Sequence, residues 1–452
     1  MQRWLRHRCR SACPPAPPPR RAAPAPDTCP ACSGDAGATA GRPSRPPPPG
    51  AAPPPTPHLQ RQLLQLLQVL AVLAVAAMLP GCSGGPRYSS RIVQTKYGSV
   101  RGVIVQLNSR RLEPVEVFRG VPYAAPPVGP LRLAPSQPPP PWSGTRLADS
   151  FGPVCPQRLP VPDLNNKTSA LLAMPRGRLT HLKLLQPFLQ RQSEDCLSLN
   201  LYVPGSGSRG ADAPYPVVVF IHGESYEWNA GSPYDGSVLA SWGHVIALTF
   251  NYRLGILGFL RTRLGSQDLD FGTGDILMLL RWVQDNAAAF GGDPKRVTIL
   301  GHDTGAALAS ILLLSPLSKG LFHHMALVSG SVLSPWATVQ SPWDLRGVVS
   351  HQMGCHVSAP GDQDLAPCLR RLPLEALLSV SVDPPRFLPR FGPSIPFPGL
   401  DPVRVALEKA ADPFVRVPLL LGAHTTESYD DFNNQDIQYG FEASIHSRNI
   451  EE

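Results

Sequence analysis

The residues with the clearest chemical potential lie in one short run of the chain. The apolar stretch Val297–Leu300 reads as a strand and leads into a Gly-x-x-x-Gly motif at 301–305, followed by small apolar residues. This pattern is typical of a strained strand-to-helix turn that lifts its central side chain above a sheet as a nucleophile. Serine is the usual central residue, whereas here it is Asp303. An aspartate at this point could act as a nucleophile, or could simply cap the following helix at its positive end.

The segments around this turn predict the scaffold that positions it. Asp275–Phe290 has apolar residues at helical spacing, with Asp275 as its expected N-cap, and Gly305–Leu314 is apolar enough for a buried helix. Strands that alternate with helices indicate an α/β fold with a mostly parallel sheet covered on both faces. The predicted strands are Leu197–Val203, Val217–His222, His244–Asn251, Arg296–Leu300, Met325–Val328 and Leu419–Leu421, preceded by a β-hairpin within Arg91–Leu107.

Composition divides the 452-residue chain into three parts. Residues 1–62 are a Pro- and Arg-rich leader, whose nine arginines and two aspartates carry +7 of the formal net charge of +8. We expect this leader to be disordered. Because the remainder is nearly neutral, the basic balance gives no support for nucleic-acid binding. The pair Cys29 and Cys32 has zinc-ligand spacing, but no second pair completes a site.

Residues 63–84 contain an uncharged apolar run followed by small residues, which is typical of a secretory signal with its cleavage region. The run is also long enough to remain as an uncleaved membrane anchor. Either way, residues 85–452 are expected outside the cell as one domain. An even number of cysteines in that domain fits an oxidising compartment, although sequence alone leaves their pairing open. These cysteines are Cys155, Cys196, Cys355 and Cys368, and Asn166 begins a glycosylation sequon.

Several longer motifs resemble those of the type-B carboxylesterase and cholinesterase family. They are Phe118–Ala124 with Pro126–Gly129, Glu194–Tyr202, and Phe290–Pro294 ahead of the Asp303 turn. Within the family the chain is most similar to neuroligins, the synaptic adhesion members, and in particular to invertebrate ones. Arg91–Gly98, Asn251–Phe259 and Leu333–Ala337 carry that likeness. The resemblance implies an α/β-hydrolase fold.

The resemblance also assigns catalytic roles to single positions. Asp303 replaces the nucleophilic serine, and Gly223 and Glu224 fall in the oxyanion hole. Small residues are needed there, so we expect the Glu224 carboxylate to repel the developing charge and to crowd the acyl pocket. Glu427 matches the acid of the triad. The family's histidine lies far beyond that acid, whereas this chain ends 25 residues after Glu427, and His446 sits in no matching motif.

Three interpretations follow from these positions. An active serine esterase needs a nucleophile, a base and an oxyanion hole, and all three are expected to be lost or damaged. An Asp-nucleophile hydrolase still needs a histidine to activate water. The third interpretation, a catalytically inactive adhesion or binding protein, is the one we expect, with Glu427 kept only as part of the scaffold.

By the same resemblance, the expected partner is a neurexin-type cell-surface receptor, bound through an interface that could contain calcium. No other cofactor is expected. Carboxylates in Asp430–Asp436 could supply oxygen ligands, although such a run is more often a solvated loop. The resemblance further implies that Cys155 pairs with Cys196 and Cys355 with Cys368.

The last expectation concerns the C-terminal end of the chain. The tail Ala443–Glu452 departs from the family pattern. We therefore expect a C-terminally truncated hydrolase fold whose sheet is incomplete at that end. Such a chain would lack the family's helix-bundle homodimer and would contact a membrane only through an uncleaved leader.

Overall fold

The structure is a computed structural model that describes residues 68, 86–159, 169–171, 174, 176–205, 213–263, 269–339, 341–355, 364–384, 388–394 and 416–424. Apart from residue 68, all of these lie in the compact unit Ser83–Glu452. The predicted leader, the signal region apart from residue 68, Asn166, Glu427, His446 and Asp430–Asp436 lie outside the described residues.

Strands of the described ranges form a large mixed sheet and a small one. Apolar, β-branched runs make most of these strands. They are β1 (Val93–Gln94), β2 (Ser99–Arg101), β3 (Val103–Val105), β4 (Val115–Pro122), β5 (Thr145–Leu147), β6 (Ser198–Pro204), β7 (Tyr215–Ile221), β8 (Ile246–Phe250), β9 (Gly292–His302), β10 (His324–Val328) and β11 (Leu419–Gly422).

Helices of the same ranges lie between these strands. They are α1 (Arg176–Leu189), α2 (Ser237–Gly243), α3 (Gly255–Phe259), α4 (Phe271–Asn286), α5 (Thr304–Leu314), α6 (Pro342–Gln352), α7 (Ala366–Leu369) and α8 (Leu374–Leu378). Short 3-10 turns occur at Gly129–Leu131, Ala287–Phe290 and Pro316–Ser318. Within the part of the chain that the structure describes, no helix combines the length and apolar character needed to cross a membrane.

The large sheet has the order β11-β10-β9-β7-β8-β6-β4-β3. Its strands from β11 to β8 pair in parallel, and β6, β4 and β3 add antiparallel pairings. This is the mostly parallel sheet that the sequence predicts. The register places Ile221 beside Gly301 and His302 beside Val328. The carboxyl ends of β7, β9 and β10 therefore meet at one edge, where side chains from three connections converge.

The core lies on both faces of this sheet. α5 is buried along nearly its whole length, because its residues are small or apolar. Phe118 and Phe290 pack edge to face with ring centroids 5.0 Å apart, and Trp282 lies beside Phe290. The predicted hairpin forms between β1 and β2, which belong to the small sheet β1-β2-β5.

The expected N-cap of α4 is wrong. The helix begins at Phe271, directly after Asp270, and Asp275 lies inside it. Asp275 is fully buried and receives two hydrogen bonds from the Arg253 guanidinium, at 2.9 and 2.7 Å. A buried charge requires such a partner, so Asp275 serves tertiary packing rather than helix capping.

Candidate functional site

The turn between β9 and α5 has the strained geometry that the glycine pattern predicts. Asp303 has φ 55° and ψ −126°, a conformation that non-glycine residues rarely adopt. Its N–H donates to the carbonyl of Val328 at 2.9 Å, and its carbonyl accepts from the N–H of Ala306 at 2.9 Å. These bonds hold the Asp303 side chain at the edge where the parallel strands end.

Two glycines make this turn possible because backbone from neighbouring elements approaches them closely. A Cβ on Gly305 would lie 2.2 Å from the carbonyl oxygen of Ile221 in β7. A Cβ on Gly301 would lie 2.5 Å from the Cα of Ala306. No side chain fits at either position, so steric contact alone is enough to require glycine at both.

The loop after β7 brings Glu224 to the same turn. The backbone N–H of Glu224 donates to Oδ2 of Asp303 at 2.9 Å. A Cβ on Gly223 would lie 2.7 Å from this carboxylate oxygen, so Gly223 allows the close approach. Glu224 itself has φ 86°, which places its N–H toward the turn and its side chain away from it. The backbone donor at the expected oxyanion position is therefore bonded to the chain's own carboxylate.

Asp303 is half-buried, and this environment alters its ionisation. Burial raises the pKa of Asp303 to about 6, although the N–H groups of Glu224 and Thr304 lower it in part. The charge of Glu224 raises it further. Asp303 occupies the N-cap position of α5 but makes no capping hydrogen bond through its side chain. Asp303 therefore stands at the capping position of α5, but its side chain does not make the capping hydrogen bond.

Two residues of α1 bind the Glu224 side chain. Arg178 donates to its two carboxylate oxygens at 3.3 and 2.7 Å, and the imidazole of His181 lies 3.5 Å from Oε1. Burial alone would raise the pKa of Glu224, but the hydrogen bond from His181 and the charge of Arg178 lower it to about 2. Sequence reasoning missed both partners. The signal available was their spacing of three residues on a leucine-rich segment.

His222, the residue before Gly223, is buried and stacks on Tyr252 with ring centroids 4.4 Å apart. Burial lowers the pKa of His222 to about 4. Its Nδ1 lies 3.2 Å from the carbonyl oxygen of Gly223. His222 is therefore a neutral packing residue at neutral pH.

The ends of β10 and β11 complete the edge. Ser329, with φ 58°, follows β10, and its hydroxyl lies 2.6 Å from Nδ1 of His424. The ring of His424 meets that of His302 edge to face at 5.6 Å. Sequence reasoning did not single out these three residues.

Both disulfides have the pairing that the resemblance implies, Cys155–Cys196 and Cys355–Cys368. The first closes a segment that contains α1. Within the described ranges, no group of three or more His, Cys, Asp or Glu side chains is placed to hold a metal ion.

Comparison with known proteins gives a family match and two groups of relatives. The model of the carboxylesterase family matches residues 89–450. Mouse neuroligin-3 is 41% identical over 325 residues, which are 67% of this chain and 38% of neuroligin-3. Human neuroligin-2 is 39% identical over 321 residues, again 67% of this chain and 38% of the relative. Carboxylesterase 3 of Pongo abelii is 36% identical over 344 residues, 76% of this chain and 56% of the relative.

Among solved structures, a thermophilic pNB esterase superposes with a TM-score of 0.63 at 30% identity. The superposition covers 80% of this chain and 68% of the esterase. The chain spans less than half the length of the neuroligins that it matches and just over half that of the carboxylesterase. These similarities agree on the fold and divide between neuroligins and esterases.

Proposed function

This chain belongs to the carboxylesterase family, and from that premise we propose that it is a catalytically inactive, neuroligin-like adhesion protein. Its proposed role is to bind a neurexin-type receptor at the cell surface, at synapses, rather than to hydrolyse esters. The observation that carries the proposal is the hydrogen bond from the Glu224 N–H to the Asp303 carboxylate.

Acyl transfer in this fold needs a neutral nucleophile with an activating base, and free N–H donors for the developing oxyanion. At this turn a carboxylate stands at the nucleophile position. The same carboxylate accepts the hydrogen bond that a substrate oxyanion would need. A second carboxylate, Glu224, adds negative charge nearby, although Arg178 pairs with it. These features disfavour an oxyanion twice, by occupying a donor and by electrostatic repulsion.

The adhesion role is supported by similarity to two neuroligins along most of the domain. Two disulfides are consistent with an extracellular protein. Calcium at the receptor interface is part of the proposal, with Asp430–Asp436 as the segment to test.

Hydrolysis of a short-chain p-nitrophenyl ester tests the catalytic half of the proposal. We expect the purified chain to match its own heat-denatured sample, while a pNB esterase gives signal in the same assay. We also expect Asp303→Ser to remain inactive, because the substitution supplies a hydroxyl nucleophile but no general base to activate it. Turnover by the native chain, or its recovery in Asp303→Ser, would show that the site is catalytically competent.

Binding of an immobilised neurexin-type ectodomain tests the partner. We expect the chain to bind in millimolar calcium and to dissociate on chelation, with an active carboxylesterase as the matched family control. Asp430→Asn combined with Asp431→Asn should weaken binding if that segment holds the ion. Equal signal from this chain and from the carboxylesterase would refute the proposed partner.

A hydrolase remains the second candidate, because the chain also resembles carboxylesterase 3 and the pNB esterases. In an Asp-nucleophile version, the Asp303 carboxylate would displace a halide or open an epoxide at an sp3 carbon of the substrate and form an alkyl ester, which water would then hydrolyse. The nitrophenyl assay tests the carboxylesterase form of this candidate, and intact-mass detection of an adduct on Asp303 with a haloalkane or epoxide probe would identify the aspartate mechanism.

A further inference from the structure

One face of α2 is apolar and exposed. Val238 is 44% exposed, Leu239 37% and Trp242 70%, and the three lie within about one turn of the helix. The opposite face is buried, with Ala240 packed in an apolar cluster against the sheet. Exposed apolar residues are ordinary when they occur singly, whereas a group that includes a tryptophan indicates an interaction surface.

The loop between β3 and β4 meets α2 beside this apolar face. The hydroxyl of Ser241 donates to the carbonyl of Glu113 at 3.0 Å, and Ser241 directly precedes Trp242. Arg110 and Arg111 in the same loop are exposed, and neither guanidinium has an ion pair or hydrogen bond within the described ranges. Glu113 is the one acidic residue of the loop. The loop therefore adds net positive charge at the edge of the apolar face.

The polypeptide enters the domain at the same corner of the fold. The N–H of Ile104 in β3 donates to the carbonyl of Arg87 at 2.7 Å. Tyr88 packs against the apolar cluster that contains Ala240 of α2. Arg87 is exposed and adds a further positive charge. The entry segment, α2 and the β3–β4 loop are thus neighbours.

The sequence before this entry point provides a reason for membrane contact. The apolar run of the signal region ends at residue 79, and only residues 80–85 separate it from Pro86. A chain of that length spans at most about 25 Å. If the run is kept as an anchor, the corner at which the chain enters the domain is tethered close to a bilayer.

We propose that the apolar face of α2 and the arginines beside it form a membrane-contact surface that lies on the phospholipid headgroup layer. Tryptophan favours the boundary between headgroups and acyl chains, because its ring is apolar and its indole N–H is polar. Val238 and Leu239 add apolar area that leaves water on contact, and arginine guanidinium groups bind lipid phosphate oxygens. This surface goes beyond the expectation that the leader alone contacts a membrane, because it orients the domain as well as tethering it.

Hydrogen exchange measured by mass spectrometry on the full chain tests this surface, in phosphatidylcholine vesicles and in a lipid-free non-ionic detergent. We expect amides of α2 and of residues 106–113 to exchange about fivefold more slowly in vesicles than in detergent, while those of β9 keep their rates. Adding an anionic phospholipid to the vesicles should slow the same amides further, and high salt should remove that added effect.

Two variants remove the contact in different ways. Trp242→Ser deletes the ring and should abolish the slowing in vesicles. Arg110→Ser combined with Arg111→Ser deletes two charges and should abolish the added effect of the anionic lipid. The matched control is Trp343→Ser, because Trp343 on α6 is also exposed, at 46%, but lies beside the acidic Asp344. This control should leave the slowing intact.

Equal exchange of α2 in vesicles and in detergent would overturn the proposal, and so would slowing that survives Trp242→Ser. An anionic-lipid effect that the double arginine variant leaves unchanged would also count against it. Slowing in detergent that grows with protein concentration would show that a second copy covers the face, which refutes the membrane surface. If Trp242→Ser disturbs exchange of β9, Leu239→Ser replaces it with the same expected loss. Receptor binding plays no part in this measurement, so its result is independent of the adhesion role.

Discussion

Replacing Asp303 by asparagine is expected to stabilise the domain at neutral pH. Burial raises the pKa of Asp303 from 3.8 to about 6. Between these values the folded state binds more protons than the unfolded state, so the contribution of this group to stability falls as pH rises through the window. Below the window the carboxyl group is protonated in both states. Asparagine, which never ionises, avoids this loss.

The size of the effect follows from the pKa shift. A shift from 3.8 to about 6 corresponds to about 3 kcal/mol if it is fully expressed. Asp303 is only half-buried, and solvent screening reduces the figure to about 1–2 kcal/mol. The amide oxygen of asparagine can still accept the hydrogen bond from the Glu224 N–H. We therefore expect Asp303→Asn to raise the free energy of unfolding by about 1–2 kcal/mol at neutral pH.

Urea unfolding followed by tryptophan fluorescence measures this difference near neutral pH and near pH 4. Asp270 also has a pKa raised to about 6 by burial, but it is present in both proteins, so its contribution cancels. Asp293→Asn is the control of opposite sign, because a hydrogen bond from Arg296 lowers the pKa of Asp293, and its loss should destabilise at neutral pH. A gain from Asp303→Asn that is the same at both pH values, or a net loss at neutral pH, would contradict the reasoning.

Three further changes test the scaffold. Asp275→Ala strands the Arg253 guanidinium in the core and should lower the free energy of unfolding by about 3–5 kcal/mol in urea titrations; a change below 1 kcal/mol would mean that the pair is not buried in solution. Gly305→Ala places a methyl group 2.2 Å from the Ile221 carbonyl and should cost about 3 kcal/mol by thermal melting. Gly347→Ala in α6, where nothing lies within 4 Å, is its control and should stabilise slightly, because alanine favours a helix over glycine by about 1 kcal/mol. Replacing Cys155 and Cys196 together by alanine should cost about 4 kcal/mol by the chain-entropy model, and an unchanged melting temperature would argue against the bridge.

Local patterns predicted the strands and the turn because those features depend on neighbouring residues. The runs that became β7, β8 and β9 are apolar and β-branched, and the structure places each within a few residues of its predicted bounds. The turn at Asp303 followed from two glycines with a strand before them and small residues after them. β4 was not predicted, because Glu116 and Arg119 interrupt its apolar pattern. Glu116 is nonetheless buried, and it forms an ion pair with Arg91, which lies just before β1.

What the sequence could not show were contacts between distant residues. Asp275 was predicted as an N-cap from the residues next to it. Its actual partner, Arg253, lies 22 positions earlier, and no local pattern links the two. Likewise, Glu224 was expected to project negative charge into the oxyanion site. The structure turns this side chain toward Arg178, 46 residues earlier, and directs only its N–H to the turn. Such pairings depend on the tertiary fold, which the periodicity of apolar residues does not encode.

The close approaches at Gly301 and Gly305 have a consequence for genome annotation. These two glycines are required by backbone from α5 and β7, whatever residue stands at position 303. A search profile that gives weight to these glycines will therefore score a catalytically inactive member of the family as highly as an active hydrolase. Discrimination must come from the central residue and from whether the nearby N–H donors are open to a substrate. In this chain the Glu224 donor already holds a carboxylate.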